Sequence, residues 1–196
     1  EEVSGRGVIE SFELHHEDRV TFLSYTPKPR RGTINFYAGA GWEPWSPASI
    51  EKGGLGGSET ALVRVAIHLA QQGYQVKVYS GAEPGMVGGV LFRSHTAWDP
   101  TEECDLLVVS RQSHVFDNPI GARAWGLGWH DHSYPDLTPE RAEKIDHVVV
   151  LSDWQRERFA RLYPFLAERL RVIRNGITVK GLFDEVDHYP DAERSF

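Results

Sequence analysis

Residues Gly53-Gly54-Leu55-Gly56-Gly57-Ser58-Glu59 crowd four glycines directly ahead of an amphipathic segment, Thr60 to Gln72. A short apolar run, Ile34-Asn35-Phe36-Tyr37-Ala38, lies upstream. Strand, glycine loop and helix in this order are how α/β proteins offer backbone N–H groups to an anion. Glycine lets the main chain approach a ligand with no Cβ in the way. The helix start adds unpaired donors and roughly half a positive charge. The loop therefore predicts both a fold class and a place on that fold where phosphate-like groups would sit.

The remaining chain must then supply a sheet. Its 196 residues suffice for one ordinary domain with a real core, and 40% hydrophobic content suits a globular protein. No apolar run is long enough for a membrane span, and no signal-peptide pattern opens the chain. The net charge of −7 argues against a nucleic-acid backbone as partner. One cysteine, Cys104, excludes an internal disulfide and a cysteine-based zinc site, as in a reducing cytoplasm.

Residues 1–32 stand apart from the rest. Val8 to Phe12 and Arg19 to Tyr25 have strand-like content, predicting an edge hairpin or the remnant of another domain. Adjacent His15 and His16 would point to opposite faces of a strand, so a solvated turn is preferred to a metal site. From Thr33 onward strands and helices alternate. Strands are predicted at 34–38, 75–80, 90–92, 105–110, 122–129, 147–151 and 170–173, giving a doubly wound sheet of about six or seven strands. Ser58 is expected to cap the first helix, Gly73 to end it, and Ser152 to cap a helix over 153–159. A short helix is predicted over 138–144, and 177–196 reads as a tail. Such sheets bind ligands beyond the carboxyl ends of their strands. The glycine loop, Ser110-Arg111, His130-Asp131, Ser152 and Asn175-Gly176 all follow strands, so they should converge on one edge.

Several chemistries are excluded by spacing. The glycines do not form Gly-x-Gly-x-x-Gly, and they start well after the strand, which disfavours a dinucleotide site. No Gly-Lys-Ser/Thr occurs for a Walker loop, and no Gly-x-Ser-x-Gly for a hydrolase nucleophile. His130, after an inner strand, suits a bond to a sugar hydroxyl or stabilisation of transition-state charge, in preference to a backbone-satisfied cap. His130-x-His132 shows no third ligand at metal spacing. Trp42 and Trp45, in the long loop 39–52, either line a sugar site or plug the space beneath the loop. Arg111, after a central strand, is the better anion contact than Arg156, Arg158 and Arg161, which read as a solvated helix face.

The glycine stretch, then Leu69-Ala70-x-x-Gly73-Tyr74-x-Val76-x-Val78, Trp129-His130-Asp131, Val149 to Gln155, and Val172 to Ile177 together resemble retaining glycosyltransferases of family four, with the GT-B fold. The ordered set spans residues 33–183. The resemblance implies a two-domain enzyme that moves a sugar from a nucleotide-sugar to an acceptor with retained configuration. It needs no cofactor and no metal, since basic residues and helix dipoles neutralise the leaving diphosphate. By the same resemblance, His130 with Asp131 would stand beside the transferred sugar. Gly56, Gly57 and Ser58 would face the donor diphosphate. Trp42, Trp45, Arg111, Ser152 and Asn175 would line the acceptor cleft.

Some positions depart from the family. Arg174 stands where proline is usual and Thr178 where an acid is frequent. The second domain, with its Arg/Lys clamp and paired glutamates, has no counterpart in these residues. The expectation is accordingly a Rossmann-like acceptor-side domain over 33–176 and an interdomain linker over 177–196, inactive without its C-terminal partner domain. Expected partners are a nucleotide-sugar and a glycan, lipid-linked or small-molecule acceptor, in the cytoplasm or peripherally at the inner membrane face. Two rivals are a non-catalytic glycan- or nucleotide-binding module and a nucleotide-linked epimerase or reductase, the latter disfavoured by the glycine spacing.

Overall fold

The computed structural model of the chain describes residues 7–14, 21–27, 31–41, 45–51, 55–127, 133–134 and 136–176. Strands β1 (Gly7–Leu14) and β2 (Thr21–Pro27) pair antiparallel as a two-stranded sheet of their own, with Val8 opposite Thr26 and Leu14 opposite Thr21. Both segments read as strand-like are therefore strands; His15 and His16 lie outside the described residues.

The main sheet has eight strands: β3 (Thr33–Gly39), β4 (Gln75–Ser80), β5 (Gly85–Val87), β6 (Val90–Ser94), β7 (Leu106–Ser110), β8 (Arg123–Leu127), β9 (His147–Val150) and β10 (Leu170–Val172). Their order is β10-β9-β8-β7-β3-β4-β6-β5, and every neighbour pair is parallel except β5 with β6. Helices α1 (Gly57–Gln71), α2 (Pro139–Ala142) and α3 (Asp153–Leu162) alternate with the strands, giving a Rossmann-like α/β fold.

Alternating side chains divide the core by face. Ile34 and Phe36, Val76 and Val78, Val108 and Val149 point one way and pack with Leu62, Val63 and Ala66 of α1. Tyr37, Tyr79, Leu107, Val109, Val148 and Val150 point the other way, toward Phe159 of α3 and Ala142 of α2. Both faces are covered, so the central strands read as continuous apolar runs.

The eighth strand, β5, was not expected from sequence. Val87 pairs with Val90 across Gly88 and Gly89, whose φ values of 55° and 81° are those of a two-residue hairpin turn. A side chain on Gly88 would meet Ile67 of α1 at 2.7 Å, so the turn also rests on that helix.

Helix ends depend on local chemistry. Ser152 Oγ accepts from the Gln155 amide at 3.1 Å, capping α3 as expected. Thr138 Oγ1 does the same for Arg141 at 3.3 Å, with Pro139 opening α2. Gly73, at φ 95°, follows the end of α1. Ser58 is not the cap of α1. Extended Gly56 takes that place, its carbonyl accepting from Thr60 N at 2.9 Å, and Ser58 lies inside the first turn. Glycine is tolerated as a cap, and the Ser58 hydroxyl is engaged elsewhere.

Beneath β3 and β4, Glu102 accepts from Lys77 Nζ, from the Tyr79 hydroxyl and, at 3.3 Å, from Asn35 Nδ2. Burial opposes the charge on Glu102, but the bonds from Lys77 and Tyr79 outweigh it and hold the carboxyl below its ordinary range. Burial first, and Glu102 second, push the Tyr79 phenol up to about 12. Trp98 closes the same face, its ring 4.9 Å from that of Tyr37.

Candidate anion-binding cleft

In sheet order β4-β3-β7, the chain leaves β3 for β4 on one side and returns as β7 on the other. The loops after β3 and β7 consequently diverge, and between them opens a cleft of about 440 Å³. Ligands of open α/β sheets settle in such crevices. Its walls are the backbone of Gly39, Ala40 and Gly41 after β3, Ser58, Glu59 and Leu62 of α1, and Ser110, Arg111 and Gln112 after β7. Ser80 and Trp45 line its β4 side, and Ser133 and Tyr134 the opposite one.

Arg111 is the chemical centre of this cleft. Its φ of 65° makes it the sole non-glycine residue with positive φ among those described. Gln112 N bonds back to Ser110 O at 2.8 Å, closing a three-residue γ-turn of the strained hand around Arg111. The turn swings the side chain toward α1, where Nη2 donates to Ser58 Oγ at 2.9 Å. A guanidinium is thereby brought to the positive end of a helix, a pairing that favours phosphate oxygens between them. Glu59 folds back toward Gly56 on the same turn. Ser110, 7% exposed, also lines the cleft, and its hydroxyl has no hydrogen bond among the described residues.

Two close approaches shape the floor. A Cβ on Gly39, already at φ 68°, would lie 2.9 Å from the Gln112 side-chain amide carbon. A Cβ on Gly81 would overlap the Ala40 carbonyl oxygen, so the loops after β3 and β4 rest directly on each other. Trp45 extends that contact: it forms a parallel bridge with Ala82, and its carbonyl accepts from Glu83 N at 2.8 Å. Its ring meets Phe92 edge-on at 6.3 Å. The tryptophan thus packs beneath the loop and also lines the cleft. Opposite, the Tyr163 hydroxyl fixes Tyr134, accepting from its N–H at 2.6 Å and donating to its carbonyl at 2.8 Å.

Of the expected site residues, Trp45, Ser58 and Arg111 share this cleft, with Gly56 and Gly57 opening the helix that forms its wall. Ser152 is at the same end of the sheet, but its hydroxyl serves the cap of α3. Asn175 is exposed beyond β10. His130, Asp131, His132 and Trp42 lie outside the described residues. Ser110 and Gln112 flank Arg111 and were legible as residues following a strand; Ser80 and Tyr134 carried no such motif. Among the described residues no group of three or more His, Cys, Asp or Glu side chains could hold a metal. No described helix is long and apolar enough to cross a membrane.

Fold and cleft together define an α/β domain with a mostly parallel eight-stranded sheet and a polar crevice at its switch point. The chain matches no protein-family model and no curated protein at a significant level.

Proposed function

We propose that the chain is the acceptor-side half of a retaining glycosyltransferase, with the start of α1 facing the diphosphate of a nucleotide-sugar. The observation that carries the reading is the Arg111–Ser58 bond across the switch-point cleft, which places a guanidinium at a glycine-framed helix start. The strained φ of Arg111 supports it further, because such backbone persists where a side chain must be aimed. The ordered motifs from Gly53 to Ile177 that resemble family four supply the reaction class.

In this reading the helix start and Arg111 neutralise charge as the donor's diphosphate leaves, so neither metal nor cofactor is required. In the same reading His130, with Asp131, would act beside the transferred sugar, and Trp45 would face the acceptor. A second domain would complete the donor site through its basic clamp, so 33–176 would be catalytically silent alone, in the cytoplasm or against the inner membrane face.

The test is calorimetric titration of nucleotide-sugars carrying UDP, GDP and ADP into the chain, with transfer assayed in the full gene product. One donor should bind, and Arg111→Ala should weaken it by about tenfold or more, as for a lost charge-assisted bond. In the full product His130→Ala should abolish transfer while leaving that binding nearly unchanged. Absence of binding by every donor in the full gene product as well, or binding indifferent to Arg111, would overturn the reading. Donor binding with no transfer to any acceptor would favour a non-catalytic binding module.

A further inference from the structure

We propose that the β4 side of the cleft is a saccharide subsite with Trp45 as its stacking platform, so that the acceptor is a carbohydrate ring. Calling the occupant an acceptor rests on the glycosyltransferase reading; the binding of a sugar ring there does not. The cleft changes character from one side to the other. Its charged groups, Arg111 and Glu59, gather at the start of α1. Trp45 and Ser80 form the β4 side, and Ser110 and Gln112 lie between. A tryptophan beside neutral hydroxyl and amide groups matches a pyranose, whose C–H face is apolar and whose rim carries hydroxyls.

Two features make this a prepared surface. The main chain of Trp45 is fixed by the bridge to Ala82 and the bond from Glu83 N, and its ring rests edge-on against Phe92, which lowers the ordering cost of binding. Ser110 is nine-tenths buried and lines the cleft, and no hydrogen bond of its hydroxyl is found among the described residues. A buried polar group of this kind gains from a ligand hydroxyl and would be left unsatisfied beneath an acyl chain. The lining thus favours a sugar over a lipid tail.

The experiment titrates maltose, cellobiose, lactose and chitobiose into the chain, followed by amide NMR shifts, with uridine diphosphate titrated in parallel. At least one disaccharide should bind, shifting the amides of Trp45, Ala82 and Ser110. Trp45→Ala should weaken it about tenfold, the scale of a lost aromatic contact. Trp45→Phe keeps an aromatic face and should lose about threefold, and Ser110→Ala about fivefold, as for a lost neutral hydrogen bond. Because Trp45→Ala removes the Phe92 contact, the Phe and Ser110 variants carry the test if that protein melts early. Failure of all four sugars to bind, or binding unchanged in Trp45→Phe and Ser110→Ala, overturns the subsite. Disaccharide binding with no transfer from any donor in the full gene product would sink the transferase reading and keep the subsite; transfer with no disaccharide binding would sink the subsite alone.

Discussion

Arg111 occupies backbone that an L side chain enters at a cost of about 1 kcal/mol. The cost and the contact can be separated by substitution. Arg111→Ala removes the guanidinium and keeps the strain, whereas Arg111→Gly removes both. Chemical denaturation should therefore find the glycine variant about 1 kcal/mol more stable than the alanine variant. Both should lose nucleotide affinity alike. Equal stability of the two would mean that the γ-turn opens once the bond to Ser58 is gone. The same logic explains Gly39, where positive φ and the nearness of Gln112 each exclude a side chain.

At the scale of elements, two serines in similar sequence settings have different duties. Ser152 caps α3 through Gln155, whereas Ser58 sits within α1 and bonds Arg111. Ser152→Ala should cost about 1 kcal/mol in thermal or urea unfolding, the usual worth of such a cap. Ser58→Ala should leave stability within about 0.5 kcal/mol, as expected away from caps and cores, while weakening anion binding. A larger loss at Ser58 would restore the capping role inferred from sequence. That role looked secure because serine before a helical pattern is a strong signal. The cap is decided by backbone geometry, however, and Gly56 reached the extended conformation one turn edge earlier. The central strands were legible because buried parallel strands leave unbroken runs such as Leu106–Ser110. The edge strand β5 was not, since Gly-Met-Val inside a glycine-rich stretch has neither length nor alternation. In the cleft, Arg111 was visible as the residue after a central strand, but its aim at Ser58 needed tertiary geometry.

For the whole molecule, Glu102 ties Lys77 and Tyr79 of β4 to Asn35 of β3, joining the two central strands through one carboxylate. The sign of its pH dependence follows from the lowered carboxyl. A depressed folded value gives stability that is complete above the unfolded carboxylate range and lost as pH falls through the folded one. Tyr79, pushed up to about 12, adds stability that fades as pH climbs from the ordinary phenol range toward that value. Glu102→Gln should flatten the acid limb of a stability-versus-pH curve measured by denaturation between pH 3 and pH 7. An unchanged limb would assign acid sensitivity to other carboxylates.

Among the described residues the main sheet ends at β10 on one side and β5 on the other, each only three residues long. A visiting strand would find too few free amides at either border to hold a register. Growth of the sheet by recruitment of further chains is thereby curtailed at both borders.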